Sequence, residues 1–289
     1  MQWHDIHDPA SEELDRLAAQ YGLHPLHVED CRHRDQRAKV EEGQGYLFTV
    51  LKPVRVDEDG DFNAVDLDIF LGADFVITVE ETECPEVRAL IDRIHQAMAN
   101  EARSDHVYHR ILDELVDSYL PLLDRLHDTI DRLEDQALES PTPDVLSTIF
   151  RTKRTLIFLR GVLVNTRDLT AHVQRLQAPW ISGEMMPFFR DVYDHVARNL
   201  DTVEIMRDLL ASSLDVYLSS VANRTNQVMK VLTVAGTIAL PALVISGFYG
   251  MNLKGLPAAE SPYGAALVLG GMAVTTGVLL WVLKRFGWF

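Results

Sequence analysis

Cysteine and basic residues are both scarce in this 289-residue chain. Its two cysteines, Cys31 and Cys84, are too few for a framework of disulfide bonds. Lys and Arg number 27 against 43 Asp and Glu, and the resulting net charge of −16 argues against a nucleic-acid-binding protein. The first residues lack the basic start and apolar run of a signal peptide, so we expect the acidic bulk of the chain to stay in a reducing cytosol.

The sequence also lacks the signatures of hydrolases and of ATP-driven proteins. Ser118, Ser212 and Ser213 lie in helical patterns, without the strand, sharp turn and helix that present a hydrolase nucleophile. No glycine-rich phosphate loop is present. We therefore predict that the protein is not an enzyme and carries no catalytic cofactor.

Histidine is concentrated near the N-terminus, where five of the 11 residues precede position 34: His4, His7, His24, His27 and His33. His24 and His27 are separated by Pro25, which makes a regular helical pair of zinc ligands doubtful, and no Cys-x-x-Cys accompanies them. We interpret these histidines as surface residues.

Charge is almost absent from residues 226–289, which hold four Lys or Arg and one Glu. Two uncharged runs lie there, residues 231–250 and 263–283, and each is long enough to span the hydrocarbon core of a bilayer. Lys and Arg precede the first run and follow the second, which places both termini in the cytosol. We predict a multi-pass protein of the cell membrane, with the lipid bilayer as a partner.

The fold class predicted from hydrophobic periodicity is α+β. Residues 1–84 form an α/β part, in which alternation around Tyr46, Phe48 and Val50 and two further strand-like runs predict an antiparallel sheet within an αβα cytosolic domain. Residues 85–186 have the period of helices. They predict one long helix through residues 112–133 and a second over about 143–177, paired as an antiparallel helical hairpin.

One very long helix is predicted next. Nothing breaks the helical pattern between Pro187 and Gly250, so a single helix would have 64 residues and a length of about 96 Å at 1.5 Å per residue. Residues 187–230 form its stalk, and residues 231–289 form a membrane domain with two transmembrane helices. Pro241 kinks the first span without ending it, since neighbouring groups satisfy the freed carbonyl.

A seam runs along one face of this helix with a period of 3.5 residues. Its members are Asn226, Met229, Thr233, Gly236, Leu240, Leu243, Gly247 and Gly250. The seam is either a packing face, in which glycines allow close approach, or the wall of a pore in a symmetric ring. In a pore, Asn226 would offer amide oxygens and the apolar residues would form constrictions that gate by dewetting. Periodicity alone does not separate these two interpretations.

A motif at the outer end of the first span favours the pore. The motif is Tyr249-Gly-Met-Asn252, and it follows Asn223-Arg-Thr-Asn-Gln-Val-Met-Lys-Val-Leu-Thr233. Together these segments resemble the CorA family of divalent-cation channels, in the two-transmembrane group with a Gly-x-Asn signature. Gly22-Leu-His-Pro-Leu26, Arg190-Asp-Val-Tyr-Asp-His195 and Leu214-Asp-Val-Tyr-Leu-Ser219 are similar to the family as well, so the resemblance covers nearly the whole chain.

The resemblance implies a homopentamer in which the first transmembrane helix of each protomer lines a central pore. Gly250, Met251 and Asn252 match the selectivity entrance, where a ring of amide oxygens would hold hydrated Mg²⁺ through its waters. Asp215 resembles an acidic ring at the cytosolic pore mouth, which concentrates cations. The remaining pore-lining and gate positions are Asn226, Met229, Leu232, Gly236, Leu240, Leu243 and Gly247.

The family also implies regulatory metal sites between protomers. Asp30 and Asp191 match positions that bind a regulatory divalent ion, and Asp113 matches a further candidate. Because carboxylates brought together repel each other unless a cation neutralises them, bound Mg²⁺ would favour the closed form. Mg²⁺ is then both substrate and regulatory ligand.

The function that we predict is a gated channel that moves divalent cations into the cytosol down the membrane potential, first of all Mg²⁺, with Co²⁺ and Ni²⁺ as further candidates. The outer loop departs from the family, because Lys254 stands where many members have an acid, and Gly255-Leu-Pro257 resembles the ZntB branch. A ZntB-like zinc transporter is therefore the alternative. A membrane-anchored coiled-coil scaffold without transport is a third hypothesis.

Overall fold

The structure is a computed structural model that describes residues 1–33, 36–58, 60–80, 84–98, 101, 103–176, 178–251, 256–257 and 261–287. The chain divides into two compact units, Met1–Asp215 and Val216–Phe289. The boundary lies inside a helix that belongs to both, and each unit is described by itself below.

A five-stranded sheet forms the centre of the N-terminal unit, in the strand order β1-β7-β6-β3-β2, and β4 and β5 form a separate hairpin. The strands are β1 (Gln2–Ile6), β2 (Lys39–Glu42), β3 (Tyr46–Leu51), β4 (Val54–Val56), β5 (Phe62–Ala64), β6 (Leu67–Gly72) and β7 (Phe75–Glu80). Strands β3 and β6 are buried along their whole length, as expected for central strands covered on both faces.

The predicted antiparallel pairing holds for β2, β3, β6 and β7, but the sheet as a whole is mixed. Strand β1, which the sequence pattern did not predict, lies at the edge and pairs with β7 in parallel, with Gln2 opposite Phe75. Its partner is more than 70 residues away along the chain, and most of β1 is only partly buried. A short edge strand of this kind carries little of the apolar signal that marks buried strands.

Helices cover both faces of the sheet. On one face α1 (Glu12–Tyr21) and α2 (Pro25–Arg32) close a core in which Leu14 and Leu17 pack with Tyr46, Phe48 and Phe70. Gly22 ends α1 in the left-handed conformation at φ 66°, which glycine adopts without steric cost. The other face is covered by α3 (Pro85–Ala97) and α4 (Ser104–Asp117), so the predicted αβα layering is confirmed.

The single helix predicted through residues 112–133 is wrong, because the structure has α4 followed by α5 (Leu120–Glu139). The chain leaves the first helix at Ser118, whose N–H donates to the carbonyls of Glu114 and Leu115. Pro121 then occupies the first turn of α5, where its missing N–H leaves no helical hydrogen bond unmade. The apolar stripe crosses this break without a change of period, which is why periodicity alone did not reveal it.

The remaining helices agree closely with the predictions. Helix α6 (Pro143–Arg175) pairs with α5, a short 3-10 turn follows at Gly183–Met185, and α7 runs unbroken over Met186–Tyr249 with Pro241 inside it. Helix α8 covers Gly264–Arg285. Two described helical segments are long and apolar enough to cross a membrane, Gly183–Tyr249 and Gly264–Arg285. The most apolar 18 residues of each have a mean hydropathy of 2.1. The predicted fold class is confirmed.

Candidate cation pathway and acidic sites

The predicted seam lies on the open side of α7 within the unit Val216–Phe289, except that Thr233 is only partly exposed. Met229, Leu232, Leu240 and Leu243 expose 56–69% of their surface, an unusual level for large apolar side chains. Less exposed positions recur on another side of the same helix, at Val234, Thr237, Pro241, Ile245 and Tyr249. With 100° per residue, this partly buried side lies roughly 140° from the seam. The seam is therefore not used for packing inside the unit.

The second span has a partly covered side of its own. Less exposed positions of α8 recur almost every fourth residue, at Gly264, Val268, Met272, Thr276 and Leu280. One such side on each helix is what two neighbouring spans produce when they cover each other. Gly236 and Gly247 on the seam meet nothing within 4 Å of an added Cβ. Contacts among the described residues therefore do not explain these two glycines.

The C-terminal end of α7 is described only as far as Met251. The N–H of Gly250 donates to the carbonyl of Ser246 at 2.8 Å, and the helix ends at Tyr249. A Cβ on Gly250 would lie 3.1 Å from that same carbonyl oxygen, so the turn is tight there. Asn252, the predicted entrance ligand, lies outside the described residues, together with Leu253, Lys254 and Gly255. At the other end of the predicted pathway, Asp215 and Asn226 are exposed.

Asp30, a predicted regulatory ligand, lies on α2 and is paired inside the chain. Lys39 Nζ on β2 donates to Asp30 Oδ2 at 2.7 Å and to Glu41 Oε1 at 3.1 Å. Burial works against the charge on Lys39, but its hydrogen bonds with the two carboxylates outweigh this and raise its pKa. The Asp30 carboxylate is thus held beside a firmly protonated amine.

His27 extends this network toward the core. Its ring lies 2.8 Å from the Tyr46 hydroxyl and 3.1 Å from Glu41 Oε2. Burial lowers the pKa of His27, although Glu41 acts in the opposite direction. The ring stacks on Phe48 at a centroid distance of 4.6 Å. His27 is therefore a buried histidine that links α2 to the sheet, which corrects its interpretation as a surface residue.

The other two predicted regulatory acids both lie near His195, a residue that was not predicted as a ligand. Asp191 is exposed on α7, with Oδ2 3.6 Å from His195 Nε2. On the other side of the ring, Asp117 Oδ1 is 3.7 Å from Nδ1. Asp113, Asp117 and His195 each offer a ligand atom, and these atoms all lie within 4.8 Å of one another. A divalent cation would find one imidazole and two carboxylates within reach.

Asp113 is less exposed than its neighbour Asp117. Burial raises its pKa, the neighbouring Asp117 adds to the rise, and His109 and Arg110 oppose it. Arg110 Nη1 also lies 3.4 Å from Asp113 Oδ2. Asp113 and Asp117 are four residues apart, so the sequence alone places them on one face of a helix. This spacing would have added Asp117 to the predicted metal ligands.

Comparisons with known proteins identify the family of the chain. The family profile described as CorA-like Mg²⁺ transporter protein matches residues 1–285. The cobalt/magnesium transport protein CorA of Thermotoga maritima is 35% identical over 281 residues, which cover 96% of this chain and 80% of that protein. A zinc transport protein ZntB of Pectobacterium carotovorum is 26% identical over 181 residues, 62% of this chain and 54% of that protein.

Among solved structures, the complete CorA magnesium transporter of Methanocaldococcus jannaschii matches with a TM-score of 0.84 and 27% identity. The match covers 99% of this chain and 91% of the other. The sequence match to the family and the structural match to this transporter thus both extend from β1 to α8. The chain belongs to the family of CorA-like Mg²⁺ transporter proteins.

Proposed function

We propose that this protein is a homopentameric, gated channel that moves divalent cations, first of all Mg²⁺, across the cell membrane into the cytosol. The family itself identifies the protein as a membrane transporter for divalent cations. The pentamer, the gate and the direction of movement are our proposal. The observation that carries it is the open seam of α7.

The seam supports a pore because of what it combines. It is apolar, uncharged and exposed at Leu240 and Leu243, and glycine occupies positions 236 and 247, where no described residue lies within 4 Å of an added Cβ. In a bilayer an apolar face can also lie against lipid, so the glycines, which let helices approach closely, are what favour a contact between copies at this face. Five copies that turn this face inward would form a narrow apolar passage, which closes by losing its water.

The ends of the passage supply the groups that handle the ion. Asp215 and Asn226 are exposed on α7 toward its cytosolic part, where a ring of acids would raise the local cation concentration. At the outer end, a ring of Asn252 amides would hold Mg²⁺ through its hydration shell. The membrane potential drives uptake with about 2.3 kcal/mol per charge per 100 mV, about 4.6 for a divalent ion. No chemical step is required.

We assign closure of the channel to metal binding at Asp30 and Asp191. Asp191 is exposed and lies beside His195, whereas Asp30 is partly buried on a separate helix. A cation shared between Asp191 of one protomer and Asp30 of its neighbour would join the two subunits. Mg²⁺ would shift the channel toward the closed state only by its higher affinity for that state.

A ZntB-like zinc transporter is the second candidate. The partial match to ZntB and the Gly255-Leu-Pro257 segment favour it. Mg²⁺ stays first because the matches to CorA proteins extend over nearly the whole chain.

The test uses the purified full chain in sealed proteoliposomes with an inside-negative potential, and compares uptake of Mg²⁺ and Zn²⁺ side by side. We expect Mg²⁺ uptake that depends on the potential and is abolished in Asn252→Ala, while that variant still assembles as a pentamer. Ser261→Ala, a polar residue in the same connection between the spans, is the matched control and should transport like the wild type. The absence of uptake of any divalent ion would refute the proposal, and uptake of Zn²⁺ alone would favour the second candidate.

A further inference from the structure

A second group of potential metal ligands lies at the opposite edge of the N-terminal unit from β2, where β1 pairs with β7. The parallel register places Asp5 opposite Thr78 and Ile6 opposite Val79, so the residue after β1, His7, falls beside Glu80. Side chains two residues apart share one face of a strand. Asp5, His7 and Glu80 therefore lie on the same side of the sheet, and their ligand atoms are within 4.8 Å of one another.

The buried member of the group is Glu80. Its side chain is 1% exposed, and Oε1 accepts no hydrogen bond from any residue that the structure describes. That oxygen lies 3.6 Å from His7 Nδ1. A buried carboxylate oxygen without a donor is costly and rare in folded proteins. Glu80 Oε1 is directed toward the His7 imidazole and Asp5. The space between these three side chains is therefore where a bound ion would satisfy this oxygen.

Each carboxylate has one oxygen held by the protein and the other directed at His7. Thr78 Oγ1 donates to Asp5 Oδ1 at 2.7 Å, while Asp5 Oδ2 lies 3.7 Å from His7 Nδ1. Arg88 Nε on α3 is 3.6 Å from Glu80 Oε2, while Oε1 points to His7. Outer contacts that hold one oxygen of a ligand and leave the other for the ion are typical of metal sites.

The spacing fits a small cation. Two ligands of a tetrahedral zinc ion, each about 2.0–2.1 Å from the metal, are about 3.4 Å apart. The two distances from His7 Nδ1 are 3.6 and 3.7 Å, within a few tenths of an ångström of this value, and the ligand atoms of all three residues lie within 4.8 Å of one another. His7 itself is 47% exposed, which leaves an open side for the ion and for a water as fourth ligand.

We propose that Asp5, His7 and Glu80 form a binding site for a divalent transition-metal ion of the Zn²⁺ and Co²⁺ class. Imidazole with two carboxylates suits these ions, whereas Mg²⁺ prefers a shell made only of oxygen. The site shares no residue with the seam of α7 or with the group of acids around His195. It would fix β1 to β7 at the edge of the sheet whether or not the protein forms a channel.

The test measures Zn²⁺ bound to the purified full chain, in excess Mg²⁺ to fill the oxygen sites. His7→Gln and Glu80→Gln should each lower the number of tightly bound Zn²⁺ ions by one per chain. They should also remove one component of the Co²⁺ absorption spectrum. His7 is half exposed, so its replacement leaves the fold intact even if Glu80→Gln does not.

His127→Gln is the matched control. His127 also lies 3.7 Å from an aspartate oxygen, that of Asp131, but both of these side chains are more than half exposed, and no buried acid among the described residues joins them. The His127→Gln variant should bind as many Zn²⁺ ions as the wild type. If His7→Gln bound as many Zn²⁺ ions as the wild type, with an unchanged Co²⁺ spectrum, the proposal would be overturned.

Discussion

Lys39 donates a hydrogen bond to Asp30 at 2.7 Å, so a predicted regulatory acid is already paired with a cation of its own chain. The two side chains are 27% and 25% exposed, which places the pair at the edge of the fold. A metal ion that reaches Asp30 must compete with this amine. In the proposed closure, the pair would therefore set how much Mg²⁺ is needed to occupy Asp30.

Replacing Lys39 should make the channel more sensitive to Mg²⁺. A pair of this exposure contributes about 1 kcal/mol or less, so Lys39→Met should lower the Mg²⁺ concentration at half-maximal protease protection by up to about fivefold. Arg32→Met is the control, since Arg32 pairs at 2.7 Å with Asp15 and not with a predicted ligand. An unchanged midpoint in Lys39→Met would remove Asp30 from the ion site.

Removing the two acids should have the opposite effect. In Asp30→Asn/Asp191→Asn, the carboxylates that a cation would bridge are neutral, so there is no repulsion for Mg²⁺ to relieve. We expect strong protease protection of the wild type as Mg²⁺ rises to millimolar levels, and much less in the double variant. Equal Mg²⁺ dependence in the two proteins would place the sensor elsewhere, with Asp113 and its neighbours at His195 next.

A charge on the seam should disturb the gate. Leu243→Asp would place a ring of carboxylates in the proposed apolar constriction, which would then stay wet and conduct cations when Mg²⁺ is high. The measurement is Mg²⁺ flux into proteoliposomes at high internal Mg²⁺. Val244→Asp is the comparison, because this neighbour is similarly exposed, 60% against 69%, but points about 100° away. Poor membrane insertion of both variants, without leak in the inserted protein, would mean that Leu243 faces lipid.

The buried Asp68 should make the N-terminal unit less stable as pH rises. Burial raises its pKa to about 7, Asp66 adds to the rise, and Cys31 and Lys52 oppose it. Between the pKa of an unfolded aspartate, about 3.9, and this value, the folded chain keeps a proton that the unfolded chain loses. Stability is therefore greatest below this window and falls as pH rises through it.

Asp68→Asn stays neutral and removes this dependence. From about pH 5 to about pH 8, the wild type should lose roughly 2–3 kcal/mol relative to the variant. Thermal unfolding of the full chain at several pH values measures this as a gap in melting temperature that widens with pH. Asp74→Asn, at an exposed acid between β6 and β7, should follow the wild type. A constant gap between Asp68→Asn and wild type would contradict the assignment.

The sequence by itself determined the features that depend on local pattern. Helices α7 and α8 were predicted nearly to the residue, because helical period and uncharged length are properties of neighbouring residues. The family followed from motifs distributed along the chain, such as the one that ends at Asn252. The break at Ser118 was missed because the apolar stripe continues across it.

Only the tertiary structure decided which distant residues meet. The parallel pairing of β1 with β7 brings His7 to Glu80 across more than 70 residues, and no spacing in the sequence signals that contact. In the same way, the fold places Lys39 on Asp30, Asp117 beside His195, and His27 inside the core. Hydrogen bonds and ion pairs act over a few ångströms in space, so the charge state and free oxygens of a site depend on neighbours that only the folded chain supplies.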